Sequence, residues 1–161
     1  MDFDSVRESG IAAMDANRFA EAYRIFLPLV EAGDPECQGI VGSLMRCGMH
    51  RIESLEQMNS SEGQVMMRES SQGFDDKAVA FLKSSSDAGF GPATFNLAAL
   101  YVDGYGGGSW GERKAKAAEL YALAHAQGFT EFGHLMNGTG PGQPYLDLME
   151  AYVASIGSSE P

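Results

Sequence analysis

Apolar residues recur along most of this chain with the period of a helix. Ala22, Ile25, Phe26, Leu29 and Val30 stand at i, i+3, i+4, i+7 and i+8, one stripe on a helical surface. Ala78, Phe81 and Leu82 begin the same stripe again, and Ala117, Leu120, Tyr121 and Ala124 begin it a third time. Each stripe runs to a glycine, Gly33, Gly89 or Gly128, eleven residues after Ala22, Ala78 and Ala117. Glycine readily takes the left-handed conformation that follows a last helical turn, so these three are predicted helix stops. Pro35 and Pro92 come next, at the start of a further helix, where a missing N–H costs little. Pro28 lies inside the first stripe and predicts a bend in a helix that otherwise persists.

The repetition extends beyond single helices. Gly42, Leu44, Met45 and Gly48 align with Ala98, Leu100, Tyr101 and Gly104, giving copies over 19–48 and 74–104 and a third, decaying copy over 112–136. Residues 4–16, "DSVRESGIAAMDA", read as an opening helix. Residues 144–157, "PYLDLMEAYVASIG", read as a closing amphipathic helix with Leu146, Met149, Tyr152, Val153 and Ile156 on its apolar face, and 158–161 form a tail. A lone helix pair cannot bury its apolar face, so such pairs are expected to stack into a solenoid. Gly48 to Ala78 spans 30 residues where Gly104 to Ala117 spans 13. Residues 49–73 are therefore an insertion, with a short helix expected around Gln64 to Glu69.

These segments resemble the Sel-one-like repeats (SLR), relatives of the tetratricopeptide repeat, whose pattern is a helix ending A-A-x-x-G followed by A-x-x-x-L-G-x-x-Y-x-x-G-x-G. The stretch "SSSDAGFGPATFNLAALYVDGYG" places Ala93, Leu97, Leu100, Tyr101, Gly104 and Gly106 in that register, and the likeness covers roughly two thirds of the chain. It departs at the insertion, at the glycine-rich second junction, and where the third copy runs into "NGTGPGQP". The resemblance implies an all-α fold, a short right-handed α-solenoid of antiparallel helix pairs with capping helices at both ends, in one domain over 1–157. It also implies a protein–protein interaction module of bacterial type: an immunity protein that occludes a toxin or effector, or an adaptor in a signalling or assembly pathway.

The stretch "GYGGGSWGERK" contains Gly106, Gly108 and Gly111 in the spacing GxGxxG, with Glu131 20 residues further on. A dinucleotide loop must follow a buried strand and open a helix, whereas "NLAALYVDG" belongs to the second helix of a repeat. A phosphate loop would need Lys-Ser/Thr where "ERK" stands. The glycines are read instead as an inter-repeat turn. Trp110, the one tryptophan, then sits at the hinge, either pinning the loop against the next helix or exposed as a partner anchor.

Composition narrows the function classes. The net charge of −11, with eight acids against three bases in residues 1–40, disfavours nucleic acid and anionic membrane and suits a basic protein partner. No membrane-length apolar run occurs, and "MDFDSVRESG" carries acids where an export signal carries bases, so the expected location is cytoplasmic. Cys37 and Cys47 share a predicted helix about 15 Å apart along its axis, too far to bridge. His50, His125 and His134 show no metal-ligand spacing, and no metal or cofactor is expected. Ser84 to Ser86 lack a nucleophile elbow. Asp75 and Asp76 suit a helix start, and Arg113, Lys114 and Lys116 form a basic patch read as a solvated face. If the first helices of each pair line the concave face, contacts are expected at Tyr23, Arg24, Lys83 and Glu119, joined by Tyr105 and Trp110 from the loop. The competing reading is an enzyme or small-ligand sensor using the groove between repeats and the "GYGGGSWG" loop.

Overall fold

The computed structural model describes residues 2–129. The end of the third copy, the expected closing helix over 144–157, the tail over 158–161, Glu131 and His134 lie outside the described residues. Within them the chain is helical, with no strand: α1 Phe3–Asp15, α2 Phe19–Glu31, α3 Pro35–Cys47, a 3-10 turn Met49–Arg51, α4 Leu55–Asn59, α5 Ser61–Gly73, α6 Asp76–Asp87, α7 Gly91–Asp103 and α8 Trp110–Ala126.

The helix ends follow local chemistry. Gly33, Gly89 and Gly128 have φ of +87°, +97° and +92° and stand just past α2, α6 and α8. After α2 the amide of Gly33 donates to the Val30 carbonyl and that of Asp34 to Leu29. After α8 the amides of Gly128 and Phe129 repeat this pairing on His125 and Ala124, which satisfies carbonyls the helix leaves open. Asp34 caps α3 by accepting the Cys37 amide at 2.9 Å, Asp75 caps α6 through the Lys77 and Ala78 amides, and Ser109 and Glu112 form a reciprocal capping box on α8. Pro28 does not break α2, which runs on to Glu31 and resumes its bonding with the Ala32 amide on the Pro28 carbonyl.

The chain divides into two units, Met1–Ala88 and Gly89 onward. In the first, the apolar stripe of α2 is the core: Ala22, Phe26, Leu29 and Val30 pack with Ala13 of α1, Cys37, Val41 and Met45 of α3, and Ala78 of α6. Removing a side chain such as Phe26 or Leu29 from water stabilises the unit by about 1.5–3 kcal/mol each. Two glycines set how closely helices approach. A Cβ on Gly10 would meet the Phe26 ring at 2.5 Å, so that ring lies against the backbone of α1. A Cβ on Gly42 would stand 2.9 Å from Leu82 Cγ and 3.1 Å from the Ala78 carbonyl, which brings α3 and α6 together. A second cluster, Phe19, Leu44 and Ile52, is roofed by methionines.

In the second unit α7 packs on α8. Phe95 and Ala98 meet Ala117, Tyr121 and Ala124, with the rings of Phe95 and Tyr121 5.6 Å apart and those of Phe95 and Phe129 5.3 Å apart. Thr94 Oγ1, wholly buried, donates to Gln127 Oε1 at 2.6 Å, so a polar group inside the unit is satisfied.

Candidate interaction surface

The surface of the first unit is organised by three arginines, each committed to a carboxylate of its own chain. Arg7 of α1 pairs with Asp4 at 3.2 Å and, through its other nitrogen, with Asp34. Arg18 pairs with Glu21 at 3.3 Å. Arg24 meets Glu53 through two parallel bonds of 3.1 and 3.2 Å. Glu8, Asp15, Glu31 and Glu36 are exposed and make no ion pair among the described residues, so these four positions on the first three helices present negative charge to solvent.

Asp34 joins the ends of two elements: it caps α3 and holds Arg7. Burial alone would raise its carboxyl, but the bonds from Cys37 and the Arg7 guanidinium outweigh that and keep it below the ordinary 3.8. The same neighbourhood acts oppositely on Cys37: burial first, then the Asp34 carboxylate, push the thiol up to about 11. Cys37 is thus a neutral core residue, and it and Cys47 are free thiols on α3. A shallow open groove of about 360 Å³ lies between α1 and α2, lined by Ser5, Val6, Ser9, Arg24, Ile25 and Pro28.

Of the expected contact residues, Tyr23 and Arg24 are brought together with the insertion. Tyr23 is partly buried, its ring edge-on to His50 at 5.4 Å, and Arg24 is exposed but tied to Glu53. Burial lowers His50 below the ordinary 6.5, a backbone bond with Leu44 and the charge of Asp75 pull the other way, and Arg51 adds to the lowering. The His50 Nδ1 is enclosed and has no hydrogen-bond partner among the described residues. Lys83 is exposed on α6.

In the second unit, Tyr105 is partly buried and stands edge-on to Tyr101 at 5.3 Å, while Glu119 is exposed, 3.7 Å from Lys116. Trp110 opens α8 with 44% of its surface exposed, and the Arg113 guanidinium lies 5.3 Å over its ring. Arg113 is not the free surface charge expected of a basic patch: its Nη1 donates to the carbonyls of Tyr101 at 3.0 Å and Val102 at 3.1 Å, closing the end of α7. The glycine-rich loop follows a helix, and Gly106, Gly107 and Gly108 all have positive φ, a run that suits a tight helix-to-helix connection.

Among the described residues no group of three or more His, Cys, Asp or Glu side chains is placed to hold a metal ion, and no helix is long and apolar enough to cross a membrane. Sequence spacing does not reveal the insertion's part in the surface, since Arg24 and Glu53 are 29 residues apart in the chain. No protein-family model, curated protein or solved structure matches this chain.

Proposed function

We propose that this chain is an SLR-like protein-interaction module of stacked antiparallel helix pairs, a short right-handed solenoid that binds a basic protein. In its most specific form it is a cytoplasmic immunity protein that occludes a toxin or effector. The repeat reading is supported by like environments at matched positions. Ala22, Ala78 and Ala117 are all at most 2% exposed, as are Phe26, Leu82 and Tyr121 four residues later.

The observation that carries the choice of partner is the pairing of Arg7 on α1, Arg18 at the start of α2 and Arg24 on α2 within the chain. It leaves Glu8, Asp15, Glu31 and Glu36 as the charge a partner meets. Such a surface speeds encounter with a basic protein and sets specificity more than it sets raw affinity. The Arg24–Glu53 pair itself is exposed and worth little as stability, so either member is free to exchange its partner for one on another protein.

The test is affinity capture by the tagged full chain from its native cell extract, at low and high salt. A fourfold variant, Glu8→Lys, Asp15→Lys, Glu31→Lys and Glu36→Lys, runs beside it. The expected result is one stoichiometric basic protein, retained by the wild type at low salt and lost by the variant. If that protein has an enzymatic activity that the chain abolishes on binding, the role is immunity; if its activity survives, the role is an adaptor's. Capture that is indifferent to salt and to the four substitutions would overturn the acidic-surface reading.

A further inference from the structure

Residues 49–73 fold back onto α2 and α3, with the 3-10 turn against α2 and α5 against α3. Their grip is uneven. Ile52 is wholly buried, and its carbonyl accepts the Ala20 amide at 2.9 Å. Beyond that anchor α5 buries completely only Gly63. Beside the Arg24–Glu53 pair and the Tyr23–His50 ring contact, apolar adhesion comes from Met49, Met58, Met66 and Met67, all partly buried and packed, together with Met14, against Phe19, Leu44 and Ile52. Four of the chain's nine methionines thus fall within these 25 residues and on one apolar cluster.

A partly buried thioether combines two properties that a fully buried one does not. The residue is not sealed from dissolved oxidants, and its packing depends on its remaining apolar. We propose that Met49, Met58, Met66 and Met67 form an oxidation-sensitive clasp. Two-electron oxidation by a peroxide or hypohalous acid converts them to sulfoxides and releases 49–73 from α2 and α3. With hydrogen peroxide, a sulfur lone pair attacks one oxygen, the S–O bond forms and the O–O bond breaks; the departing hydroxide then removes the proton from the new S–OH group, leaving the neutral sulfoxide and one water. The sulfur is oxidised by two electrons and the peroxide is reduced. Each sulfoxide oxygen then needs hydrogen bonds that the Phe19–Leu44–Ile52 surface does not offer, so the undocked state gains. Cys37 does not compete, being buried and held as the neutral thiol, whereas Cys47 is partly buried and is the alternative target.

Release would part Tyr23 from His50 and Arg24 from Glu53. Its bearing on partner binding rests on the proposed interaction role, but the release itself does not. The test exposes the full chain to hydrogen peroxide, locates sulfoxides by peptide mass spectrometry and follows amide exchange. The expected result is oxidation at the four methionines with at least ~tenfold faster exchange across 49–73, no change in α7, and reversal by methionine sulfoxide reductases. The variant Met49→Leu, Met58→Leu, Met66→Leu, Met67→Leu keeps apolar volume and stays protected. A Cys47→Ser chain, with its methionines intact, responds as the wild type does and serves equally if the leucine variant fails to fold. Absence of oxidation at the four sites, oxidation without faster exchange, or a response lost in Cys47→Ser would each overturn the proposal. A folded leucine variant that still opens would also overturn it.

Discussion

The carbonyl of Ile52 accepts the amide of Ala20 at 2.9 Å, in the first turn of a helix whose N-cap, Arg18, offers no side-chain bond. A residue 32 positions downstream therefore satisfies one of the open amides that Ser54, Asp34 or Asp75 satisfies locally for its own helix. The insertion is part of the first unit's structure and not an appendage to it.

Ile52→Ala leaves that carbonyl in place but empties a wholly buried site between Phe19 and Leu44. The expected cost is about 2–5 kcal/mol, read from denaturant unfolding, with faster exchange at the Ala20 amide. A cost below ~0.5 kcal/mol would show that the insertion is not anchored there.

Gly33, Gly89 and Gly128 share a positive φ, and a Cβ added at any of them would meet no atom within 4 Å. Alanine at each is expected to cost about 1–2 kcal/mol from backbone conformation alone, by a similar amount at all three. Gly33→Asn should recover part of it, since asparagine tolerates that conformation. Gly42→Ala is different in kind: its cost, about 1–3 kcal/mol, comes from pushing α3 off Leu82 and Ala78. Equal thermal stability of Gly33→Ala and the wild type would contradict the stop.

Cys37 supplies a pH dependence of definite sign. Burial, then Asp34, raise its thiol from 9.0 to about 11 in the folded chain. Between those values the unfolded chain has lost a proton that the folded chain keeps, so the contribution is fully present below pH 9 and is lost as pH rises through 11. Unfolding free energies across this window should fall more steeply for the wild type than for Cys37→Ala. Parallel curves would refute it.

Ser85 is wholly buried on α6, and its hydroxyl has no hydrogen-bond partner among the described residues. Ser85→Ala removes an unsatisfied polar group from a position where the first and third copies carry Leu29 and Ala124. It should be neutral or stabilise by up to about 1 kcal/mol, measured as a rise in Tm. A clear loss of Tm would mean that the hydroxyl is bonded in solution.

What could be read from the chain was local. The stripe from Ala22 to Val30 and the glycine after it are features of one helix, so the stops of α2, α6 and α8 lie where the spacing puts them. So does the cap at Asp75. The insertion was harder because α4 and α5 have little stripe of their own: Ser54 and Ser60 set their starts, and partly buried methionines replace a core face. The short helix expected at Gln64 to Glu69 is the middle of a longer one, Ser61–Gly73. Tyr23 was expected as an open contact and is half covered because His50, 27 residues away, turns back over it. The role of Arg113 is invisible in its own helix, because the carbonyls it closes belong to another one. Trp110 opens α8 with its ring under the Arg113 guanidinium, a pairing across one helical turn that the sequence spacing does not single out.

Under the proposed role, exposed carboxylates on the first three helices meet a basic protein. The most direct measurement is the Kd of the captured partner, purified, against the wild type and the fourfold Glu8, Asp15, Glu31 and Glu36 lysine variant over a series of salt concentrations. Wild-type binding should weaken steadily as salt rises, and variant binding should be weaker throughout and nearly flat. A Kd that neither salt nor the four substitutions moves would contradict it.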